Sequence, residues 1–231
     1  EGKPVRELKN IFESDITCME FDKNHRKLIV GDHLGKLKVF DLLSGVMLNE
    51  LDSHDQQDGE ISYIGYGDSD NTIITCAWDK VIKVHMDDKH ELKSPKENVL
   101  RGKKNCHRKD IICADYSHNL GLIATGSRDH TVRIWDYERV KFEEEIQAHT
   151  SEVVIVKFIK PFPLLLTADS SGELMIWLTK PHPKAKSCLI KWRNMFTLQK
   201  MSPITSLDSY YDPTGAFILV VGDDDGSIRV Q

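Results

Sequence analysis

The chain has 231 residues (26.4 kDa), 40% of them hydrophobic and 29% charged, with only 14 Gly and 8 Pro, a balance that excludes disorder or a fibrous repeat as the main reading. Its longest apolar run is the six residues Ala216 to Val221, far short of the ~20 needed for a membrane-crossing helix, and no N-terminal stretch reads as an export signal. The formal charge is −5, yet Arg101 to Lys109 and Thr179 to Arg193 each hold five Lys/Arg and no acid, so the rest of the chain is acidic and lacks the basic face of a general nucleic-acid binder.

Short runs with two-residue alternation or continuous apolar character predict strands throughout, and no segment carries a sustained 3.6-residue period. Val5 to Leu8 reads as the last strand of a preceding unit. The first full unit places strands at Ile16 to Phe21, Lys27 to Val30, Lys36 to Phe40 and Val46 to Leu51. The second follows at Ile61 to Gly65, Thr72 to Cys76, Val81 to His85 and Asn98 to Arg101. The third lies at Ile111 to Tyr116, Leu122 to Thr125, Thr131 to Trp135 and Phe142 to Ile146. The fourth takes Val153 to Phe158, Leu164 to Thr167, Glu173 to Trp177 and Arg193 to Leu198, and the fifth Ile204 to Ser209, Ala216 to Val221 and Ser227 onward. Anchored on the residue that ends each third strand (Phe40, His85, Trp135, Trp177, Gln231), the units recur at spacings of 45, 50, 42 and 54.

Five cysteines without a Cys-x-x-Cys pair, and no Asn-x-Ser/Thr acceptor, suit a reducing cytoplasmic compartment. Four strands per ~40 to 45 residues, with His107 before the first strand and Trp135-Asp136 closing the third, resemble the WD-repeat β-propeller family. The resemblance implies an all-β WD-repeat β-propeller with about five blades visible: 11–51, 52–101, 102–146, 147–198 and 199–231, with 1–10 ending an earlier blade. It further implies a single propeller region that is part of a larger ring. A five-bladed closure, with Val5 to Leu8 beside Ser227 to Val230, is the alternative.

In WD-repeat proteins a His before the first strand, a Ser/Thr on the second, an Asp in the following turn and a Trp on the third form a buried hydrogen-bonded chain, which carries over onto His107, Thr125, Asp129 and Trp135. An Asp buried beside a His and a hydroxyl is tolerable only when its oxygens are satisfied, and a satisfied network stiffens the blade. The same residue types could suggest a hydrolase triad, but the repeat itself demands this order. The other units depart from the pattern. The second has His54, Thr75 and Asp79 but His85 in place of Trp. The fourth has His149, Thr167 and Trp177 with Ser171 at the Asp position; the first has Leu34 there, and the fifth retains only Asp225. One complete polar lock is therefore expected, with apolar packing holding the remaining blades.

The residue before the turn Asp faces the partner-binding rim in this family, which implies His33, Trp78, Arg128, Ser170 and Asp224 here. Trp78 either stands on that rim as a binding anchor or folds back onto its own blade. Asp15, Glu60, Asp110, Glu152 and Pro203 converge at the starts of the first strands. Two insertions, Asp87 to Lys96 and Thr179 to Lys191, are loops by their prolines. The basic clusters Lys103–Lys109 and Lys180–Arg193 are either solvated surface or docking sites for an acidic protein. Asp223-Asp224-Asp225-Gly226 lacks the ligand spacing of a calcium loop, and Cys106-His107 with Cys113 lacks a second pair for zinc.

No phosphate loop, metalloprotease helix or nucleophile elbow is present. The sequence reading is therefore a scaffold for protein partners that is not an enzyme and has no cofactor, metal, nucleic acid or membrane partner. A reader of a short basic peptide at the rim is the competing class, and an enzyme built on loops is the third. Thr75 to Val84, followed by an Asp/Lys-rich insertion and His107-Arg-Lys-Asp-Ile-Ile, resembles more narrowly the WD-repeat, EF-hand-associated proteins of cilia and flagella, which implies an axonemal adaptor. A generic cytoplasmic WD scaffold is the runner-up.

Overall fold

The computed structural model describes residues 7–9, 11–55, 57, 59–67, 71–87, 106–160, 162–178, 203–211 and 218–230, and the backbone alone at 96–98, 193–197 and 217. All its regular elements are strands, arranged as five small antiparallel sheets in two compact units, residues 1–102 and 103–231.

The first unit holds two blades. Blade one is β1 (Ile16–Phe21), β2 (Lys27–Asp32), β3 (Leu37–Asp41) and β4 (Met47–Leu51); blade two is β5 (Ile61–Gly67), β6 (Thr72–Ala77), β7 (Ile82–Met86) and β8 (Lys96–Asn98). The second unit holds blade three, β9 (Ile111–Ser117), β10 (Leu122–Ser127), β11 (Val132–Asp136) and β12 (Lys141–Ile146). Blade four follows with β13 (Val153–Ile159), β14 (Leu164–Asp169), β15 (Leu174–Leu178) and β16 (Arg193–Thr197), and blade five with β17 (Ile204–Tyr211), β18 (Phe217–Asp223) and β19 (Ile228–Val230). Within every sheet consecutive strands are neighbours, the meander expected of a blade.

Two features differ from the sequence expectation. The second strands run two residues further, or one in blade two, because a β-bulge lets their ends reach the start of the first strand: Ile16 pairs with Asp32 and Cys18 with Gly31, leaving Thr17 out of the ladder. A bulge breaks the alternation from which strand ends are read. In blade two the fourth strand is β8, starting at Lys96 within the expected insertion, because Val84 and Ile82 of β7 pair with Lys96 and Asn98. The more apolar stretch Asn98 to Arg101 predicts a later start than the ladder gives.

Inside each unit, the first strand of one blade packs against strands two and three of the blade before it. Ile61 and Ile64 sit on Ile29, Leu37 and Val39; Val153, Val156 and Phe158 sit on Leu122, Ala124, Val132 and Ile134; Ile204 joins Leu166, Ala168 and Leu174. Glycine permits this closeness at two positions. A Cβ on Gly31 would lie 2.9 Å from Ile61, and one on Gly126 would lie 2.7 Å from Val153. Burial of these aliphatic faces, worth about 25 cal/mol per Å² of apolar surface, is what joins blade to blade.

Candidate functional site

Two features gather at the turn joining the second and third strands: a backbone-fixed edge of rim residues in every blade, and in blades two, three and four a buried polar lock beneath the turn. The turn is the same in all five. The backbone N–H of Gly35, Lys80, His130, Gly172 and Gly226 donates to the carbonyl three residues earlier, and each of these residues has φ between 68° and 85°.

In blade three, His107 Nε2 lies 2.8 Å from Thr125 Oγ1, Trp135 Nε1 donates to the same oxygen at 2.9 Å, and His107 Nδ1 lies 3.2 Å from both carboxylate oxygens of Asp129. The indole N–H can only donate, so Thr125 accepts it and directs its own proton to His107 Nε2. That leaves the proton of a neutral imidazole on Nδ1, donated to Asp129. Burial pushes His107 below its ordinary pKa although Asp129 pulls the other way. Burial alone would raise Asp129, but its bonds to His107, Thr131 and the Arg108 N–H outweigh that and hold its carboxyl well below the usual carboxylate range.

Blade four repeats the arrangement with an Asp from a different turn position. His149 Nε2 lies 2.7 Å from Thr167 Oγ1, Trp177 Nε1 donates to Thr167 at 2.8 Å, and His149 Nδ1 lies 3.2 Å from Asp169. Ser171, expected to stand in for the Asp, donates its N–H and hydroxyl to Asp169 instead. The expectation of a single complete lock is therefore corrected. The carboxylate can leave the turn from its first residue (Asp32, Asp169, Asp223) or from its third (Asp79, Asp129), and in blade four the first-position Asp reaches the imidazole just as the third-position Asp does in blade three. When the Asp comes first the positive-φ residue is Gly, and when it comes third that residue is Lys80 or His130. Aligning only the third position hides Asp32, Asp169 and Asp223.

Blade two is a third lock with one partner exchanged. His54 bonds Asp79 at 3.1 Å and Thr75 at 2.9 Å, while His85 Nε2 takes the indole's place 3.4 Å from Thr75. Burial, with His54 and Lys83 nearby, pushes His85 down to about 3, so this imidazole is neutral; with the Thr75 proton directed to His54 Nε2 as in blade three, the His85 Nε2–H is the donor. Blade one has no lock His: Asp32 accepts the Ser14 hydroxyl at 2.6 Å and the Lys36 N–H at 2.7 Å. In blade five Asp223 accepts the Ser227 N–H at 2.9 Å, while Asp225, the residue singled out from sequence, is exposed.

Within each blade the two groups of rim residues meet at one edge. The N–H of His33, Trp78, Arg128, Ser170 and Asp224 donates to the carbonyl of Asp15, Glu60, Asp110, Glu152 and Pro203 respectively, one pair per blade, at 2.8 to 3.1 Å. In the first unit His33 Nδ1 lies 2.6 Å from Glu60, and the His33 ring meets Trp78 edge to face at 6.2 Å between centroids. Trp78 is half-buried and leans on the preceding blade's turn, between the two orientations the sequence left open. In the second unit Arg128 bonds Asp110 at 2.8 Å. His33, Asp15, Pro203 and Asp224 are exposed, and the remaining side chains of the edges are half-buried.

Of the basic clusters, Lys103, Lys104 and Lys180 to Lys191 lie outside the described residues, while Arg108 and Lys109 are exposed. Cys113 donates its thiol to the Val153 carbonyl, and burial pushes that thiol up, which disfavours the thiolate a zinc ion would need. Donor atoms of His149, Asp169 and Glu173 lie within 4.8 Å of one another, but His149 Nε2 and Asp169 are already engaged in the lock. Sequence reasoning missed the cations on the third strands. Lys38 Nζ donates to the Ile11 carbonyl and Lys83 Nζ to the Ser53 carbonyl, tying down the chain that leads into each blade. Their common register in the repeat was the available signal.

The pattern described as "WD domain, G-beta repeat" matches residues 2–41, 98–136 and 192–230, together just over half of the chain. Among curated proteins the chain is similar to nuclear distribution protein nudF of Aspergillus flavus, 28% identical over 128 residues, covering 55% of this chain and 27% of that protein. It is also similar to human WD repeat-containing protein 3, 27% identical over 135 residues (57% of this chain, 14% of that protein). Human apoptotic protease-activating factor 1 is 27% identical over 203 residues (74% of this chain, 16% of that protein). The chain thus spans about a quarter or less of these relatives. Among solved structures, the computationally designed Ika4 protein superposes with a TM-score of 0.61 at 21% identity, over 77% of this chain and 99% of its own, a likeness of fold alone.

Proposed function

The chain belongs to the WD domain, G-beta repeat family, and from that premise we propose that it is a non-catalytic scaffold that binds other proteins through the turn edges of its blades. The observation that carries this reading is the recurring pair of rim residues. Each blade fixes one pre-turn residue against the start of its own first strand by a backbone bond, so the side chains differ from blade to blade while their placement is constant. Constant placement with variable chemistry is what a binding surface needs. Each imidazole and carboxylate of the three locks is engaged with its partners, which leaves them a structural role.

Nuclear distribution protein nudF and apoptotic protease-activating factor 1 are named for roles of whole, longer proteins, and we carry none of those roles over. The finer reading, an adaptor in a ciliary or flagellar axoneme, is supported by the Thr75 to Val84 segment and its following insertion. A second reading, recognition of a short basic peptide, is favoured by the carboxylates of Asp15 and Glu60 on the blade edges of the first unit and of Asp110 and Glu152 on those of the second.

The test is quantitative affinity capture of the full-length protein from ciliated and non-ciliated cells, comparing wild type with a Trp78→Ala/His33→Ala double variant. A defined set of proteins lost by the variant, with its melting temperature unchanged, supports the rim reading. Identical partner sets for both proteins would sink it.

A further inference from the structure

Blades one and three leave their third strands through the same turn. The Asp41 carboxylate accepts the Ser44 N–H at 2.6 Å as the Asp136 carboxylate accepts the Arg139 N–H at 2.8 Å, and the residue after it has positive φ in both, Gly45 at 72° and Val140 at 47°. The outer strands then pair in one register, Phe40 with Met47 and Trp135 with Phe142, and a bulge leaves Leu48 and Glu143 out of the ladder. Equivalent residues can therefore be compared one by one. Blade three carries Glu138, Lys141 and Glu143 where blade one carries Leu43, Val46 and Leu48, which are 78%, 58% and 51% exposed. Met47 beside them is 49% exposed, whereas Phe142 at the same position is half-buried against Trp135.

An edge strand presents backbone N–H and C=O groups that another strand can pair with, and charged side chains, Lys above all, keep such strands away. Lys141 and Glu143 to Glu145 guard β12, and β8 and β16 begin with Lys96 and Arg193. β4 is the outermost strand of its sheet and holds neither Lys nor Arg. The charges around it are divided between its two ends. Glu50 and Asp52, both exposed, stand at one end; exposed Arg26 stands at the other, where its carbonyl accepts the Leu42 N–H at 2.8 Å. A second copy of β4, laid antiparallel about a twofold axis at Leu48, brings Glu50 of each chain opposite Val46 of the other and Asp52 opposite Ser44, toward Arg26. Acid then meets cation at both ends, with the apolar residues between them. A parallel neighbour would set Glu50 beside Glu50. The edge is thus its own complement in the antiparallel sense, which favours a second copy over a foreign strand.

We propose that the outer edge of blade one, β4 with the turn before it, pairs antiparallel with the same edge of a second copy, extending the sheet across a twofold axis. Leu43, Val46, Met47 and Leu48 are covered in the pair, as an exposed apolar patch on an unguarded edge requires. Arg26 of each copy faces Glu50 and Asp52 of the other. A contact of this kind uses one patch twice and closes at two copies. It lies on a strand edge, away from the turn edges of the scaffold reading, and is independent of that reading.

Sedimentation equilibrium of the purified full-length protein tests the pairing. Wild type is expected to dimerise reversibly, and Val46→Lys/Leu48→Lys, which gives β4 the kind of guard that β12 has, should weaken the dimer by about tenfold or more. Arg26→Glu and Glu50→Arg, both at exposed positions and expected to leave the circular dichroism unchanged, should each weaken it about tenfold at low salt. Mixing these two single variants should restore association, because opposite charges meet at both ends of the mixed pair. A wild type that stays monomeric overturns the proposal, and so does a dimer that Val46→Lys/Leu48→Lys leaves unchanged. It falls equally if the two charge variants, folded by circular dichroism, dimerise as tightly as wild type or fail to associate when mixed.

Discussion

Blades three and two carry the same turn, the same His-to-Thr bond and the same third-position Asp, and they differ in what closes the lock. In blade three an indole reaches Thr125 at 2.9 Å and fills its surroundings, with the Phe142 ring edge-on at 5.8 Å between centroids. In blade two an imidazole reaches Thr75 only to 3.4 Å and introduces a second titratable ring beside His54. The donor N–H is what both share, and the difference is how much apolar volume arrives with it. A polar chain can be conserved in connectivity while its packing is not, and the second property decides most of the stability.

The largest effect follows from exchanging the closing rings. Trp135→His should cost about 3 to 5 kcal/mol, as for truncation of a buried Trp, even though a donor N–H is retained. A thermal-unfolding loss below about 1 kcal/mol would mean that the hydrogen bond, rather than the ring, holds blade three. Next in size is the carboxylate. Asp129→Ala and Asp169→Ala each strand a His N–H and turn N–H groups, and each should cost about 3 kcal/mol, at the upper end for unsatisfied buried donors. Ser171→Ala should cost about 1 kcal/mol or less. Equal losses for Asp169→Ala and Ser171→Ala would put the lock of blade four back on the third turn position.

The strand order and the lock of blade three were legible because period-two alternation and the His…Thr…Asp…Trp spacing are properties of one unit. The locks of blades two and four were only half legible. A two-residue shift of Asp169 looks like loss of the acid in sequence, whereas in space the turn brings either position to the imidazole. Trp78 could be placed at its turn but not oriented, because its neighbour His33 comes from another blade, 45 residues away. The pairing of Asp15 with His33, or of Glu152 with Ser170, depends on the bulge at each first strand, which has no distinctive residue in the sequence.

Acid should separate the two blades further. His85 is pushed down to about 3 in the folded chain, against about 6.5 for an unperturbed His, so folding favours its neutral form. Its contribution is complete above pH ~6.5 and is lost as the pH falls from there toward its folded value, by up to about 1.4 kcal/mol per pH unit. His107 and His149, also lowered by burial, act in the same direction, and the lowered carboxyls of Asp79, Asp129 and Asp169 add a loss that begins only below about pH 4. Urea unfolding of His85→Phe between pH 7 and 4.5 should show a shallower decline than wild type. Parallel declines would remove His85 from the acid response.

The smallest effect sharpens the comparison with blade one, where the buried Asp32 has no imidazole partner. Here Ser14 stands in for the lock histidine with a single hydroxyl at 2.6 Å, and Lys36 supplies one backbone N–H. Removing the hydroxyl leaves one oxygen of a buried carboxylate without its donor, while the turn and its other bond persist. Ser14→Ala should therefore cost about 1 kcal/mol, the net value of one hydrogen bond. A loss near 3 kcal/mol, equal to that of Asp129→Ala, would show that blade one relies on its polar turn as heavily as blade three does. No measurable loss would show that blade one is held by Ile29, Leu37 and Val39 against blade two alone.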